Sequence, residues 1–327
     1  MVKHFKAGVT MGTFLRIYDP NYTHFIGNRC EHEMFFMVPK KELNKIILDW
    51  LTKAKVRWGN AIDIYGFIFL SNHFHLILKD PRGQLAKFMC YFQANVAKAV
   101  NRLLGRNGKF WSREYDDVIV DGENEFLDRL SYILCNAVKS GLVATPAQWS
   151  GVSSYEYMME NKSVSSTVLD LTRYNDARRH DRKADKKDFE TEFSFELAVP
   201  PMLADKKPKE RVAFIKELMK SAMSKYRKER LYKPALGMKK VKAQSPFDRP
   251  KKPKKRPRFK FMSFCAVRRK ELQKDYENYV AQYKRAIHAL FVYCEDRRNI
   301  GFVDIRVNFN WPMGSYPPST HWPAGVV

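Results

Sequence analysis

From Ile62 to Leu78 the chain is one long apolar stretch interrupted midway by Ser71 and Asn72, and this is what most restricts its fold. Runs of this length and composition, rich in Ile, Phe and Leu, read as apolar strands. The pattern predicts paired strands joined at Ser71 and Asn72, or a single run bent there. Just beyond the break stand His73, Phe74 and His75. Strand residues two apart leave the same face, so both imidazoles point one way while Phe74 packs on the other side. A sheet can present two nitrogen ligands to one metal ion in this way. By itself the pattern also describes two strand histidines facing solvent, since three-residue spacings recur freely.

Charge narrows the partner. Of 327 residues, 59 are Lys or Arg and 35 are Asp or Glu, a formal net charge of +24. An excess of that size calls for a polyanion or an anionic membrane surface. The membrane is the weaker choice, because no uninterrupted apolar stretch of about 18 residues exists and the N-terminus lacks a signal-peptide core. Hydrophobic residues make up 45% of the chain, which excludes a disordered polymer and allows one large or two modest domains. The cysteines at 30, 90, 135, 265 and 294 are odd in number and form no C-x-x-C pair. A disulfide framework and a thiolate zinc site are both unsupported, and a reduced, cytoplasmic compartment is expected.

The elements can be read in order. Tyr22 to Cys30 reads as a strand, Lys40 to Lys55 as an amphipathic helix, Ala61 to Leu78 as the paired strands, and Gln84 to Leu104 as a second helix. A turn at Gly105 to Gly108 leads to a strand at Val118 to Val120. Glu123 to Ser140 then reads as a third helix, closed by Gly141. This interleaving suits an α+β fold in which a small antiparallel sheet carries helices on one face. Beyond Tyr157 the chain turns polar and basic, with helices expected at Lys209 to Arg230 and Lys270 to Val292. A Lys, Arg and Pro run spans Lys251 to Arg258. The expected division is therefore 1–157 and 158–327, the latter mainly helical.

Tyr132 and Asn136 lie four apart on the third helix and so share a face. A tyrosine one turn from an amide oxygen, both able to look at two sheet histidines, is a candidate metal-assisted nucleophile site. Two imidazoles and one oxygen leave positions on a divalent ion for phosphate oxygens and water. Read without the histidines, Tyr132 is better explained as a core tyrosine beside Leu130 and Ile133.

These residues resemble a known family. Tyr65-Gly-Phe-Ile-Phe-Leu-Ser-Asn-His-Phe-His-Leu-Ile-Leu78 resembles the metal-binding strand of single-tyrosine HUH transposases, where U is a bulky apolar residue. Gly108-Lys-Phe-Trp-Ser-Arg-Glu-Tyr115 and Tyr132-Ile-Leu-Cys-Asn-Ala-Val-Lys-Ser-Gly-Leu-Val143 are similar to two segments of their REP-associated branch, and Trp149-Ser-Gly-Val-Ser-Ser-Tyr155 to a third. The four blocks span about residues 22 to 157. Ala137 stands where the family usually has proline, a change a helix accepts.

The resemblance implies a ferredoxin-like catalytic domain that cuts single-stranded DNA near an imperfect hairpin. Tyr132 would be the nucleophile, forming a 5′-phosphotyrosine link and freeing a 3′-hydroxyl. His73 and His75 would hold Mg2+ or Mn2+, with Asn136 as third ligand or a polar orienter, and Glu114 or Asp116 as substitutes. Single-stranded DNA with hairpin or palindromic ends is the implied partner, and homodimer formation stays open.

Around this site Arg29, Lys109 and Arg113, together with Lys98 and Arg102 on the second helix, are candidate DNA-binding residues. Trp111 is either a stacking partner or part of the core. A competing reading is a nucleic-acid-binding protein on the same sheet without catalysis. A replication or plasmid-transfer nuclease of the HUH type fits less well, because one tyrosine sits at the motif spacing and no helicase-like segment follows.

Overall fold

The computed structural model describes residues 15–250 and 260–296. The basic run from 251 to 258 and the tryptophans at 311 and 322 lie outside the described residues. The elements follow in the order β1 (Thr23–Arg29), α1 (Lys41–Trp58), β2 (Asp63–Phe69), β3 (His73–Lys79), α2 (Leu85–Leu103), β4 (Asp116–Val120), α3 (Glu123–Leu134), α4 (Asn136–Lys139) and α5 (Tyr155–Glu160). Then come β5 (Val164–Leu169), α6 (Leu171–His180), β6 (Glu190–Phe195), α7 (Pro208–Glu229), α8 (Met238–Lys242), β7 (Phe261–Met262) and α9 (Ala266–Asp296).

Five strands form the main sheet in the order β2-β3-β1-β4-β7. The first four are antiparallel neighbours. With α1 between β1 and β2 and α2 between β3 and β4, they make the βαββαβ arrangement of ferredoxin-like folds. β7 adds itself parallel to β4, which makes the sheet mixed. The β2–β3 turn falls at Ser71 and Asn72, as the apolar run predicted, and Leu70 N–H donates to the His73 carbonyl at 2.8 Å to close it.

Both faces of the sheet are covered, which explains why its strands read as continuous apolar runs. On one face Ile26, Phe67, Phe69, Phe74, Leu76 and Leu78 pack with Phe88, Phe92 and Val96 of α2 and with Leu43, Ile47 and Leu51 of α1. On the other face Phe25, Ile68 and Ile77 pack with Leu130 and Ile133 of α3. The helices expected on one face are thus α1 and α2, and α3 supplies a second layer. A bulge at Tyr65, between Ile64 and Gly66, keeps the two faces in register. Gly66 lets α3 close in, since a Cβ there would stand 3.2 Å from Leu130 Cδ1.

The third helix departs from its predicted form by breaking at Cys135, whose φ of −104° and ψ of 11° lie outside helical values. The chain resumes as α4 and ends on Gly141 at φ +74°. Gly141 N–H bonds the Val138 carbonyl and Leu142 N–H bonds the Ala137 carbonyl, a Schellman ending. Helix α7 packs on α3 and α4 through Ile215, Met219 and Tyr226. Arg230, just past its end, donates to the Val138 carbonyl. The compact unit holding the sheet accordingly runs from Pro20 to Met262.

The polar stretch after Asn161, which carried no predicted elements, forms α6 and a two-stranded sheet of β5 and β6. Its signal was weak because β6 is largely exposed and both strands carry polar residues on both faces. Among the described residues, 15–19 and 263–296 fall in a second unit, within which α9 stacks Tyr276, Tyr279 and Tyr283 at 6.5 Å steps.

Candidate nucleophile and metal site

The face of the sheet under α3 and α4 carries the proposed chemistry. Register sets β3, β1 and β4 side by side, so His75, Gly27 and Asp116 lie in one row and His73 and Arg29 in the next. His73 and His75 share this face as the spacing required, their ring centroids 5.2 Å apart. Phe74 is fully buried on the opposite face, against Phe69 and Phe92.

Gly27 makes room for His75. A Cβ there would lie 2.9 Å from His75 Nδ1, so any larger residue would displace the ring. Phe25, two residues earlier on the same face, stacks on that imidazole at 4.9 Å and 17°. His73 is oriented differently. Asn72 Nδ2 donates to the Glu33 carbonyl at 3.1 Å, which turns its Oδ1 toward His73 Nδ1 at 2.7 Å. Since that oxygen only accepts, Nδ1 carries the proton and Nε2 keeps the lone pair. An outer amide that fixes the tautomer is how ligating histidines are usually prepared.

Tyr132 meets this pair from above. Its ring lies 5.3 Å from His75 and 5.8 Å from Phe25, edge-on to both. Two cations bracket it: Lys139 Nζ at 4.6 Å from the ring centroid and the Arg129 guanidinium at 5.1 Å. Asn136 is buried one turn on, and its Oδ1 accepts from Ser140 Oγ at 3.4 Å. Tyr132 is also a core residue, packed among the apolar side chains of α3 and the sheet.

Two half-buried imidazoles on one face, with the tautomer of one fixed, can serve as two nitrogen donors to a divalent ion. Among the described residues no three His, Cys, Asp or Glu side chains converge as a metal cluster. Asp116 lies in the row of His75, across Gly27. Asp116 is engaged by Arg113 at 2.6 Å.

The candidate DNA contacts divide by layer. Arg29 shares the histidine face and pairs with Glu33 at 2.6 Å. Lys109 stands 3.4 Å from Glu31. The Gly108-to-Tyr115 segment runs along the end of β1, with Cys30 bridging Trp111 and Ser112 N–H bonding the Arg29 carbonyl. This brings Arg113 to the site. Lys98 and Arg102 are exposed on α2, which covers the opposite face, so they do not join the histidines. Trp111 is core: its Nε1 donates to the Gln93 carbonyl and its ring meets Phe74 edge-on.

The fourth motif has a structural task. Ile68 bridges Ser153, Phe69 N–H bonds the Val152 carbonyl, and Ser154 Oγ accepts from Phe67 N–H, so this segment closes the free edge of β2. Sequence reasoning passed over Phe25, Gly27, Arg129 and Lys139 as parts of the site. Lys139 had a signal, its seven-residue spacing from Tyr132. Gly27 had none until the strand register was known.

Two solved structures are among those to which this chain is similar. A REP-associated tyrosine transposase bound to a REP hairpin is 17% identical, with a TM-score of 0.38, and the match covers 46% of this chain and 86% of that one. A candidate transposase from Deinococcus radiodurans R1 is 14% identical, with a TM-score of 0.27, covering 35% of this chain and 90% of that one. No protein-family model matches the sequence, and no curated protein does.

Proposed function

We propose that this protein is a transposase-type enzyme that cleaves and rejoins single-stranded DNA through Tyr132, with a divalent ion held by His73 and His75. The observation that carries the reading is the meeting of Tyr132 with His75 at 5.3 Å, from separate elements, on the face where both histidines emerge. Four sequence blocks similar to REP-associated transposases support it, as does the net charge of +24.

The phenol oxygen of Tyr132 attacks phosphorus, the bond to the 3′-oxygen breaks, and that oxygen leaves as a hydroxyl with the proton balance made through water. The product is a 5′-phosphotyrosine, and the reverse attack rejoins the strand without ATP. A bound Mg2+ or Mn2+ would supply charge stabilisation to the phosphoryl oxygens. His73 and His75 would hold it; Asn72 fixes the tautomer of His73, and Phe25 with Gly27 fixes the plane of His75. Arg29 and Arg113 exchange their carboxylate partners for phosphates, at small cost for the exposed Arg113–Asp116 pair.

Incubation with labelled hairpin-bearing single-stranded DNA and Mn2+ or Mg2+, followed by a denaturing gel, tests the reading. A covalent adduct that disappears in Tyr132→Phe is the expected result. Tight binding without adduct under either metal would make the chain a recognition protein.

A further inference from the structure

Among the described residues, α7 of the basic C-terminal part packs on the helices that carry Tyr132 and Lys139. Lys139 Nζ sits 4.6 Å from the ring centroid of Tyr132 and 5.0 Å from that of Tyr226, so one ammonium is shared by two aromatic faces. Tyr226 belongs to α7 and is buried. Burial, reinforced by the nearby Asp128 carboxylate, drives its phenol well above the ordinary tyrosine range, so it stays a neutral ring. Tyr132 and Lys139 are seven apart on α3 and α4 and project to one side across the break at Cys135. The Schellman turn at Gly141 fixes the end of α4, and the Arg230 guanidinium packs against that turn from α7's C-terminus. A cation over a partly desolvated aromatic face is held firmly.

We propose that Lys139 is a positioning residue for Tyr132 and that α7, through Tyr226, sets where Lys139 stands. The consequence is that residues beyond 157 act on the nucleophile itself. The inference rests on Tyr132 being the nucleophile, as argued above. It assigns α7 a task that phosphate contact alone would not require. Arg129, the other cation on the Tyr132 ring, is tied to its neighbour Asp128 and cannot replace Lys139 from the α7 side.

The test compares the full chain with Lys139→Met, which keeps length without charge, and with Lys139→Arg and Tyr226→Leu. Two quantities are read for each: the single-turnover rate of adduct formation at saturating oligonucleotide and Mn2+, and oligonucleotide affinity by anisotropy. Lys139→Met is expected to slow adduct formation about ten-fold with affinity within about two-fold of the parent. Lys139→Arg recovers most of that rate, and Tyr226→Leu reproduces the slowing although it touches no phosphate. Fluorotyrosine NMR gives a readout independent of turnover, with the Tyr132 resonance, assigned by its absence in Tyr132→Phe, broadening in Lys139→Met and in Tyr226→Leu. An unchanged rate in Lys139→Met, or a loss tracking affinity alone, overturns the proposal. Adduct persisting in Tyr132→Phe overturns the nucleophile assignment instead, a separate outcome.

Discussion

At the scale of single residues, the site is defined by what surrounds its histidines as much as by the histidines themselves. Asn72 presents its Oδ1 to His73 because its amide nitrogen is already held by the Glu33 carbonyl. Asn72→Ala is therefore expected to weaken Mn2+ binding about ten- to a hundred-fold by calorimetric titration, with the near-UV circular dichroism unchanged. Buried ionisable groups on the same layer give a second expectation. Burial pushes the Tyr65 phenol and the Cys135 thiol each up to about 12. Both are neutral in the folded chain, and in the unfolded chain they ionise near their ordinary values of about 10 and about 8.5. Between these values and about 12 the unfolded state holds fewer protons, so their contribution is complete below about pH 8.5 and is lost as pH rises toward 12. Melting temperatures recorded at stepwise alkaline pH should fall across this window. A Tyr65→Phe, Cys135→Ala double variant should lose less over the same range.

At the scale of elements, the helix termini show how closely local sequence and tertiary contact cooperate. Asp80 ends the turn after β3 and accepts from Gln84 N–H at 2.8 Å and Leu85 N–H at 2.9 Å, satisfying two donors at the start of α2. It is buried, so water cannot take its place. Asp80→Ala is expected to cost about 2 kcal/mol of stability in urea unfolding, at the upper end of the capping range. An exposed cap such as Asp170, which accepts from Thr172 and Arg173 N–H groups at 3.1 Å, should cost about half as much. The helices and strands of the sheet were legible because apolar periodicity is a local property of the chain. The break at Cys135 was not, since nothing in the local spacing departs from a helix. The sequence marks only its end, at Gly141.

At the scale of the whole molecule, charge and layering decide what the sheet can do. Among the described residues no helix is long and apolar enough to cross a membrane. With a net charge of +24, affinity for single-stranded DNA should fall linearly on a log-log salt titration, by about 0.7 per phosphate neutralised. A flat titration would show that the excess charge serves another purpose. By itself the sequence determined the strands and helices of the sheet and the common face of His73 and His75, and its net charge of +24 set the expectation of a polyanionic partner. Each follows from a period of two or 3.6 residues or from composition, quantities that need no long-range contact. Only the tertiary structure decided that Tyr132 stands beside His75, that Gly27 vacates the space the imidazole fills, and that Lys98 and Arg102 lie on the opposite layer. It alone brought Tyr226 to Lys139. Those facts depend on strand register and on which helix covers which face, and both are fixed when distant segments bury their apolar sides against one another.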